Sequence, residues 1–379
     1  MVARQNILGL TRGELTAFAE RIGERPYRGS QMFGWLYRKF AQSFSEMTDL
    51  GAQLRQRLEG VALIEGVTPL LHNVSTTDRT TKFLFGLSDN LHVESVLIPP
   101  ASAFRSGQAK SDDEQRRLTL CVSTQVGCPL DCAFCATATM GFLRNLTAGE
   151  IVDQLRHVQR AIRRPVTNVV FMGMGEPLLN YDAVMNASEI FAAGMGIPAR
   201  RITVSTAGWV DAIRKMADDA RPVKLAVSLH SALDETRSRL MPVNRRYNLR
   251  TLLEALDYYY RKTKLRVTYE VIFFDGLNDG DHDIAELIAY ARRVPSKINV
   301  IPFHPIAFAS PGGLGARLRP SGRMEEIVER LRSANLTVMV RSSAGEDIAA
   351  ACGQLAVRHE RHRRPGSQAS HRATAGPGM

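Results

Sequence analysis

Nowhere in the 379 residues is there an uninterrupted apolar run of eighteen, and the segment from Met1 to Thr11 has no hydrophobic signal region. With no span to place in a bilayer, the expectation is a cytoplasmic protein that works without a membrane. Cysteine is scarce too. The chain has five, an odd number, and three of them fall between Cys128 and Cys135. Such a set suits metal or redox chemistry in a reducing compartment rather than a disulfide scaffold. Acidic residues are outnumbered, 38 against 49 Lys and Arg, for a net charge of +11. The end of the chain holds Arg358, Arg361, Arg363, Arg364 and Arg372 against Glu360, so the remainder is still basic at +7. That excess suits a polyanion such as nucleic acid ahead of a small acidic metabolite. What is present in ordinary measure, 44% hydrophobic residues, describes a soluble globular chain long enough for one large domain and a smaller one.

The chemistry concentrates in Cys128-Pro-Leu-Asp-Cys132-Ala-Phe-Cys135, a C-x3-C-x2-C spacing. Thiolates ligate iron or zinc. Structural zinc sites are closed by four ligands, commonly as two C-x2-C pairs. Here the remaining thiols are Cys121, seven residues upstream, and distant Cys352, so a four-cysteine site is available but poorly spaced. A [4Fe–4S] cluster held by Cys128, Cys132 and Cys135 leaves one iron open to a small molecule, and the spacing favours that reading. With Phe134 in the aromatic slot, the motif resembles the radical S-adenosylmethionine (SAM) superfamily, whose open iron chelates the amino and carboxylate groups of SAM.

Residues 1–60 read as helical. Thr11 is an N-cap with Glu14 at capping-box distance. Beyond Pro26, the residues Met32, Trp35, Leu36 and Phe40 make an apolar stripe, which reads as packing between small helices. Arg21, Arg25, Arg28, Arg38 and Lys39 could set the opposite face against phosphates. Lys82–Leu87 and Leu91–Ile98 read as a hairpin turning at Asp89-Asn90. Glu94 inside it is either a solvent-facing position or a buried base. Residues 100–116 are polar and aperiodic, a surface loop.

Val- and Ile-rich strands then alternate with helices. The strands are Leu118–Ser123, Asn168–Met172, Arg201–Ser205, Lys224–Ser228, Arg266–Phe274 and Asn299–Pro302. The helices are 148–163, 181–194, 208–219, 233–240, 249–262 and 281–293. A further helix, 322–334, precedes a strand at Thr337–Arg341. The fold class expected is α/β: a parallel sheet curled into a partial, open β/α barrel, with a doubly wound open sheet as the alternative. The domains expected are a helical RNA-docking unit at 1–75, a hairpin linker and loop at 76–116, the barrel with its extension at 117–357, and a basic, disordered tail at 358–379. Chemistry belongs on the loops after the strand C-termini. There stand the cysteine loop, the turn Met172–Pro177 with Gly175 and Glu176, then Ser205, and Ser228-Leu229-His230. A glycine-rich turn or a lone histidine is ordinarily structural. Their shared placement is what singles them out.

A resemblance becomes specific in Cys121-Val-Ser-Thr-Gln-Val-Gly-Cys128, Gly141–Leu146, Met172–Pro177, and the segment from Arg341 through Ala350-Ala351-Cys352-Gly353-Gln354-Leu355. Together these resemble the RlmN/Cfr family of radical SAM enzymes, which methylate adenine in RNA, and the likeness runs from Arg28-Gly29 to about Val357. The N-terminal region and the Ala-Ala-Cys-Gly-Gln-Leu ending resemble the RlmN branch. The resemblance implies methylation of carbon 2 of adenine 2503 in 23S rRNA and of adenine 37 in tRNA. Two SAM molecules are used per turnover, with an electron donor such as flavodoxin or ferredoxin, on a monomer. Its rival within the family is Cfr-type methylation at carbon 8, which confers antibiotic resistance. The implied chemistry is a relay. Cys352 is methylated by one SAM, a radical from a second removes a hydrogen from that methyl, and the carbon adds to adenine. Cys121 then releases the product by forming a transient disulfide with Cys352, and Glu94 is the proton acceptor. The SAM contacts implied are Gly175, Glu176, Ser205, Ser228, Leu229, His230 and His304. At His304 the chain departs from the family, where many members have Asn, and its 100–116 loop is longer.

Overall fold

This computed structural model describes residues 4–100, 117–306, 313–341 and 343–357. The 358–379 tail and all but the first residue of the 100–116 loop lie outside those residues. The strands are β1 (Gln5–Asn6), β2 (Ala62–Leu63), β3 (Thr68–Val74), β4 (Thr81–Gly86), β5 (His92–Ile98), β6 (Thr119–Cys121), β7 (Gln125–Gly127), β8 (Phe142–Asn145), β9 (Asn168–Phe171), β10 (Ile202–Thr206), β11 (Lys224–Ser228), β12 (Val267–Val271), β13 (Ser296–Val300) and β14 (Val338–Val340). Ten of them form one sheet, ordered β14-β13-β12-β11-β10-β9-β6-β5-β4-β3. Neighbours from β6 to β14 are parallel. On the other side β5, β4 and β3 continue the sheet antiparallel. The two ends of that order do not pair, so the barrel is partial and open.

The parallel half follows from the crossovers. Helices Tyr181–Ala193, Val210–Asp218, Leu249–Thr263, Asp281–Ala291 and Met324–Ser333 each return the chain to the start of the next strand. Helices over the sheet leave its strands apolar on both faces, and all five residues of β12 are buried. The helix Ala148–Ile162 begins on a capping box, with Thr147 and Glu150 satisfying each other's backbone N–H groups. Among the described residues, no helix is long and apolar enough to cross a membrane.

The N-terminal helices are Arg12–Arg21, Tyr27–Tyr37 and Ala52–Val61, the first opened by the Thr11–Glu14 capping box. The second buries Met32, Phe33, Leu36 and Tyr37. The stripe therefore departs from the one expected. Trp35 is half-buried, and Phe40 lies beyond the helix end at φ 58°. This unit docks where Gly9, at φ 96°, meets Gly149. A Cβ on Gly9 would come within 2.2 Å of the Gly149 nitrogen, so only glycine permits the approach.

The boundary at residue 75 is displaced. Residues 68–74, expected to close the helical region, form β3, the outermost strand of the large sheet, and the hairpin β4–β5 is part of that sheet rather than a linker. Every residue of β3 is exposed, so no buried alternation betrays it. The hairpin turns at Asn90, φ 63°, with Leu87 N–H bonded to the Leu91 carbonyl at 2.8 Å.

Candidate active site

The loop carrying Cys128, Cys132 and Cys135 leaves the sheet just beyond β6 and is clamped on all sides. Across its base β7 and β8 pair antiparallel, and Cys128 N–H donates to the Gly141 carbonyl at 3.0 Å. Gly127, at φ 75°, closes the clamp, since a Cβ there would fall 1.7 Å from the Gly141 oxygen. Ala133 N–H donates to Leu240 at 2.9 Å, and Thr137 Oγ1 donates to the Leu355 carbonyl at 2.6 Å. The Phe134 ring stands edge-on to His230, centroids 4.4 Å apart, and so seats the loop on the end of β11. Burial pushes the Cys128 thiol up to about 12, and it raises Cys132 and Cys135 as well, with the charges of neighbouring cysteines adding.

Three half-buried cysteines whose thiols are raised in this way are poor free thiolates but a sound donor set for iron, whose charge replaces the missing solvation. Among the described residues, no three His, Cys, Asp or Glu converge on a point suited to one ion. A [4Fe–4S] cluster asks for no such point, because each thiolate takes a different iron. The residues present fit it.

Beyond β9 the chain turns through Met172–Pro177. A Cβ on Gly173 would lie 2.7 Å from Val122, and one on Gly175, at φ 102°, would lie 2.5 Å from Gln125. Glu176 is buried. Its N–H donates to Gln125 Oε1 at 2.8 Å, while its carboxylate accepts from the Leu178 and Ala207 N–H groups at 3.1 and 2.8 Å. It thereby ties the ends of β9 and β10 together. Burial lifts its pKa to about 7. A carboxylate offers about four lone-pair sites, so capacity remains for a further donor such as an ammonium.

Ser205 is buried on β10, Ser228 ends β11, and Leu229 is fully buried behind it. His230, at φ 56°, accepts the Ile272 N–H on Nδ1 at 3.1 Å. Burial, then the charge of Arg237, holds its pKa down to about 3, so the ring is neutral and Nε2 carries the hydrogen. That Nε2 is buried without a partner, the condition a ligand acceptor would relieve. His304, after β13, has the reverse polarity: Nδ1, 3.1 Å from Glu346 Oε1, faces an acceptor and carries the hydrogen, and Nε2 is again buried without a partner.

Arg237, which no sequence signal marked, is fully buried behind these loops. It donates to the carbonyls of Ala207 (2.7 Å), Ser228 (3.2 Å) and Leu229 (3.2 Å) and to Asn244 Oδ1 (2.7 Å). In Asp234–Leu240 it reads as a surface arginine. Its burial follows from the carbonyl ends of β10 and β11, which need a donor.

The remaining candidates gather beside the cysteine loop. Cys121 is the last residue of β6 and is buried. Burial pushes its thiol up to about 12, with Cys352 adding and Arg341 opposing. Cys352 is an exposed free thiol. Arg341, just beyond β14, sets Nη1 at 3.8 Å from Cys352 Sγ and 3.1 Å from Met172 Sδ, and Nε at 3.9 Å from Glu270 Oε2. Glu94 is buried on β5, so the solvent-facing alternative does not hold. Its Oε1 lies 3.1 Å from Lys82 Nζ, and its Oε2 is unpartnered. Burial raises its pKa, while Lys82 and the Ala356 N–H pull the other way. Lys82 also donates to the Ala349 carbonyl at 3.2 Å, which brings this pair against the C-terminal segment.

Residues 122–288 match the Radical SAM superfamily, and residues 5–64 match the ribosomal RNA large subunit methyltransferase N-terminal domain. The chain is 42% identical over 361 residues to the probable dual-specificity RNA methyltransferase RlmN of Salinibacter ruber, covering 93% of this chain and 94% of that one. It is 42% identical over 354 residues to the dual-specificity RNA methyltransferase RlmN of Halorhodospira halophila, covering 92% of each. Among solved structures, a radical SAM methyltransferase from Sphaerobacter thermophilus superposes with a TM-score of 0.81 at 41% identity, over 93% of this chain and 99% of that one.

Proposed function

Because the chain belongs to the RlmN family of the radical SAM superfamily, we propose that it methylates carbon 2 of adenine in RNA, at adenine 2503 of 23S rRNA and adenine 37 of tRNA. Its cofactors are a [4Fe–4S] cluster and SAM. Cys128, Cys132 and Cys135 would hold the cluster, and Gly175, Glu176, Ser205, Ser228–His230 and His304 would line the SAM site. When bound, that pair supplies a methyl group and a carbon radical strong enough to remove hydrogen from a methyl, given one electron from a flavodoxin or ferredoxin.

Carbon 2 of adenine is electron-poor and has no lone pair, so direct transfer from a sulfonium fails there. In this reading Cys352 carries the methyl carbon to the ring. Cys121 releases the product by closing a disulfide onto Cys352, and Glu94 takes the ring proton. A buried carboxyl with a raised pKa and one unpaired oxygen is suited to accept a proton. The observation that carries the reading is the placement of Cys352: the Gly353 carbonyl accepts the Ala136 N–H at 2.6 Å, which fastens its segment to the cysteine loop, and Arg341 Nη1 lies 3.8 Å from its sulfur. Radical generation alone needs only the three cluster thiols. The basic body of the chain supports an RNA substrate.

Mass spectrometry of nucleosides from RNA treated with the reconstituted enzyme tests it. The expected product is 2-methyladenosine in both rRNA and tRNA. Finding 8-methyladenosine alone, or no RNA product beside SAM consumption, would overturn it.

A further inference from the structure

The sequence marks Arg341 only as the end of a strand and the first residue of the segment that runs through Cys352 to Leu355. We infer that Arg341 is the positioning residue of the relay: its guanidinium, braced by Glu270 and Met172, holds the Cys352 sulfur beside the cysteine loop with a positive charge set against it. This rests on the proposed role of Cys352 as methyl carrier and adds the group that readies it.

Three contacts leave the one side chain, to Cys352 Sγ (3.8 Å), Met172 Sδ (3.1 Å) and Glu270 Oε2 (3.9 Å). Met172 belongs to the turn after β9, Glu270 to β12 and Cys352 to the C-terminal segment, so the guanidinium joins three separate parts of the barrel mouth. Glu270 would otherwise be hard to explain. It sits in the middle of a fully buried strand, where an ionised carboxylate costs several kcal/mol. Burial raises its pKa, and Arg341, a 3.0 Å hydrogen bond from Asn299 to one oxygen and the charge of Lys297 on β13 work against that, while the other oxygen has no hydrogen bond. Burial works against the charge of Arg341, and Glu270 and the two cysteines restore it. Glu270 on β12 thus places the Arg341 guanidinium at the thiol.

The step this serves balances without an oxidant. The thiol proton leaves to solvent, and the sulfur pair forms the new bond to the methyl carbon. The old bond pair departs with the sulfonium sulfur, so the thiolate charge cancels the sulfonium charge. The sulfur attacks as an anion, and a guanidinium 3.8 Å away offsets the charge it carries as it does so.

The test reads Cys352 directly and needs no RNA. Enzyme expressed under iron limitation, so that Cys352 is unmethylated, is reconstituted with iron and sulfide without SAM. It is then treated with iodoacetamide at pH 7, and the Cys352 peptide is followed by mass spectrometry. Arg341→Met, which takes the cation from the attacking sulfur, should slow its alkylation severalfold, and Arg341→Lys should return most of the rate, with thermal midpoint and cluster absorbance unchanged in both. If the Met variant does not retain its cluster, Arg341→Gln, neutral but polar, gives the same reading. A neutral variant that alkylates as fast as wild type or faster would overturn the inference. RNA methylation by the wild type is scored separately. A missing RNA product with the alkylation pattern intact would fault the proposed function and leave Arg341 in this role.

Discussion

The carbonyl oxygen of Gly353 accepts the backbone N–H of Ala136 at 2.6 Å. That bond joins the residue after Cys352 to the residue after Cys135, so a thiol near the end of the described chain is fastened to the loop built for the cluster. Thr137 and Leu355 repeat the attachment one turn on.

Gly353 holds a φ of 82°, and a Cβ there would lie 3.1 Å from the Phe134 carbonyl. A β-branched residue at positive φ costs about 1–2 kcal/mol before any contact is counted. Gly353→Val should therefore loosen the segment without unmaking the barrel. The cluster absorbance is expected to persist while the fraction of Cys352 carrying a methyl group falls severalfold. Full methylation of Cys352 in that variant would show that the attachment does not position the thiol.

His230 supplies a pH dependence whose sign is fixed by its surroundings. Its pKa is held down to about 3, and Nδ1 can accept the Ile272 N–H only while unprotonated. Unfolded, the ring titrates near 6.5. Below that value the unfolded chain binds a proton that the folded one refuses, so stability contributed above pH 6.5 is lost progressively as pH falls toward 3. Thermal midpoints of wild type and His230→Asn across that window should converge as the pH is lowered. Parallel curves would contradict this origin of acid sensitivity.

Cys121→Ala removes the thiol expected to release the product. Under turnover with RNA, the variant is expected to accumulate a covalent protein–RNA adduct through Cys352, seen on a denaturing gel and mapped after nuclease digestion. Recovery of free protein and methylated RNA would exclude Cys121 from that step.

The parallel strands were legible because burial on both faces makes them near-continuous Val and Ile runs, punctuated by amphipathic helices such as Leu249–Thr263. Their C-terminal ends then located the Gly175, Ser228 and cysteine loops on one rim. The same rule is silent inside a fully buried strand, which is why Glu270 drew no notice. Glu94 could be narrowed only to two alternatives, since its burial depends on the sheet continuing past β5 on both sides and on a segment more than 250 residues away. At the exposed edge, β3 offers no buried alternation at all. Arg237 is hidden for the opposite reason, a charged residue in a polar helix recruited inward by backbone carbonyls.

The central claim is that Cys352 carries the methyl group. Peptide mass spectrometry of the anaerobically purified, cluster-bearing protein tests it most directly. The account predicts one added methyl group on the Cys352 peptide and none on Cys121. A bare Cys352 thiol in protein that holds its cluster and has met SAM would contradict it.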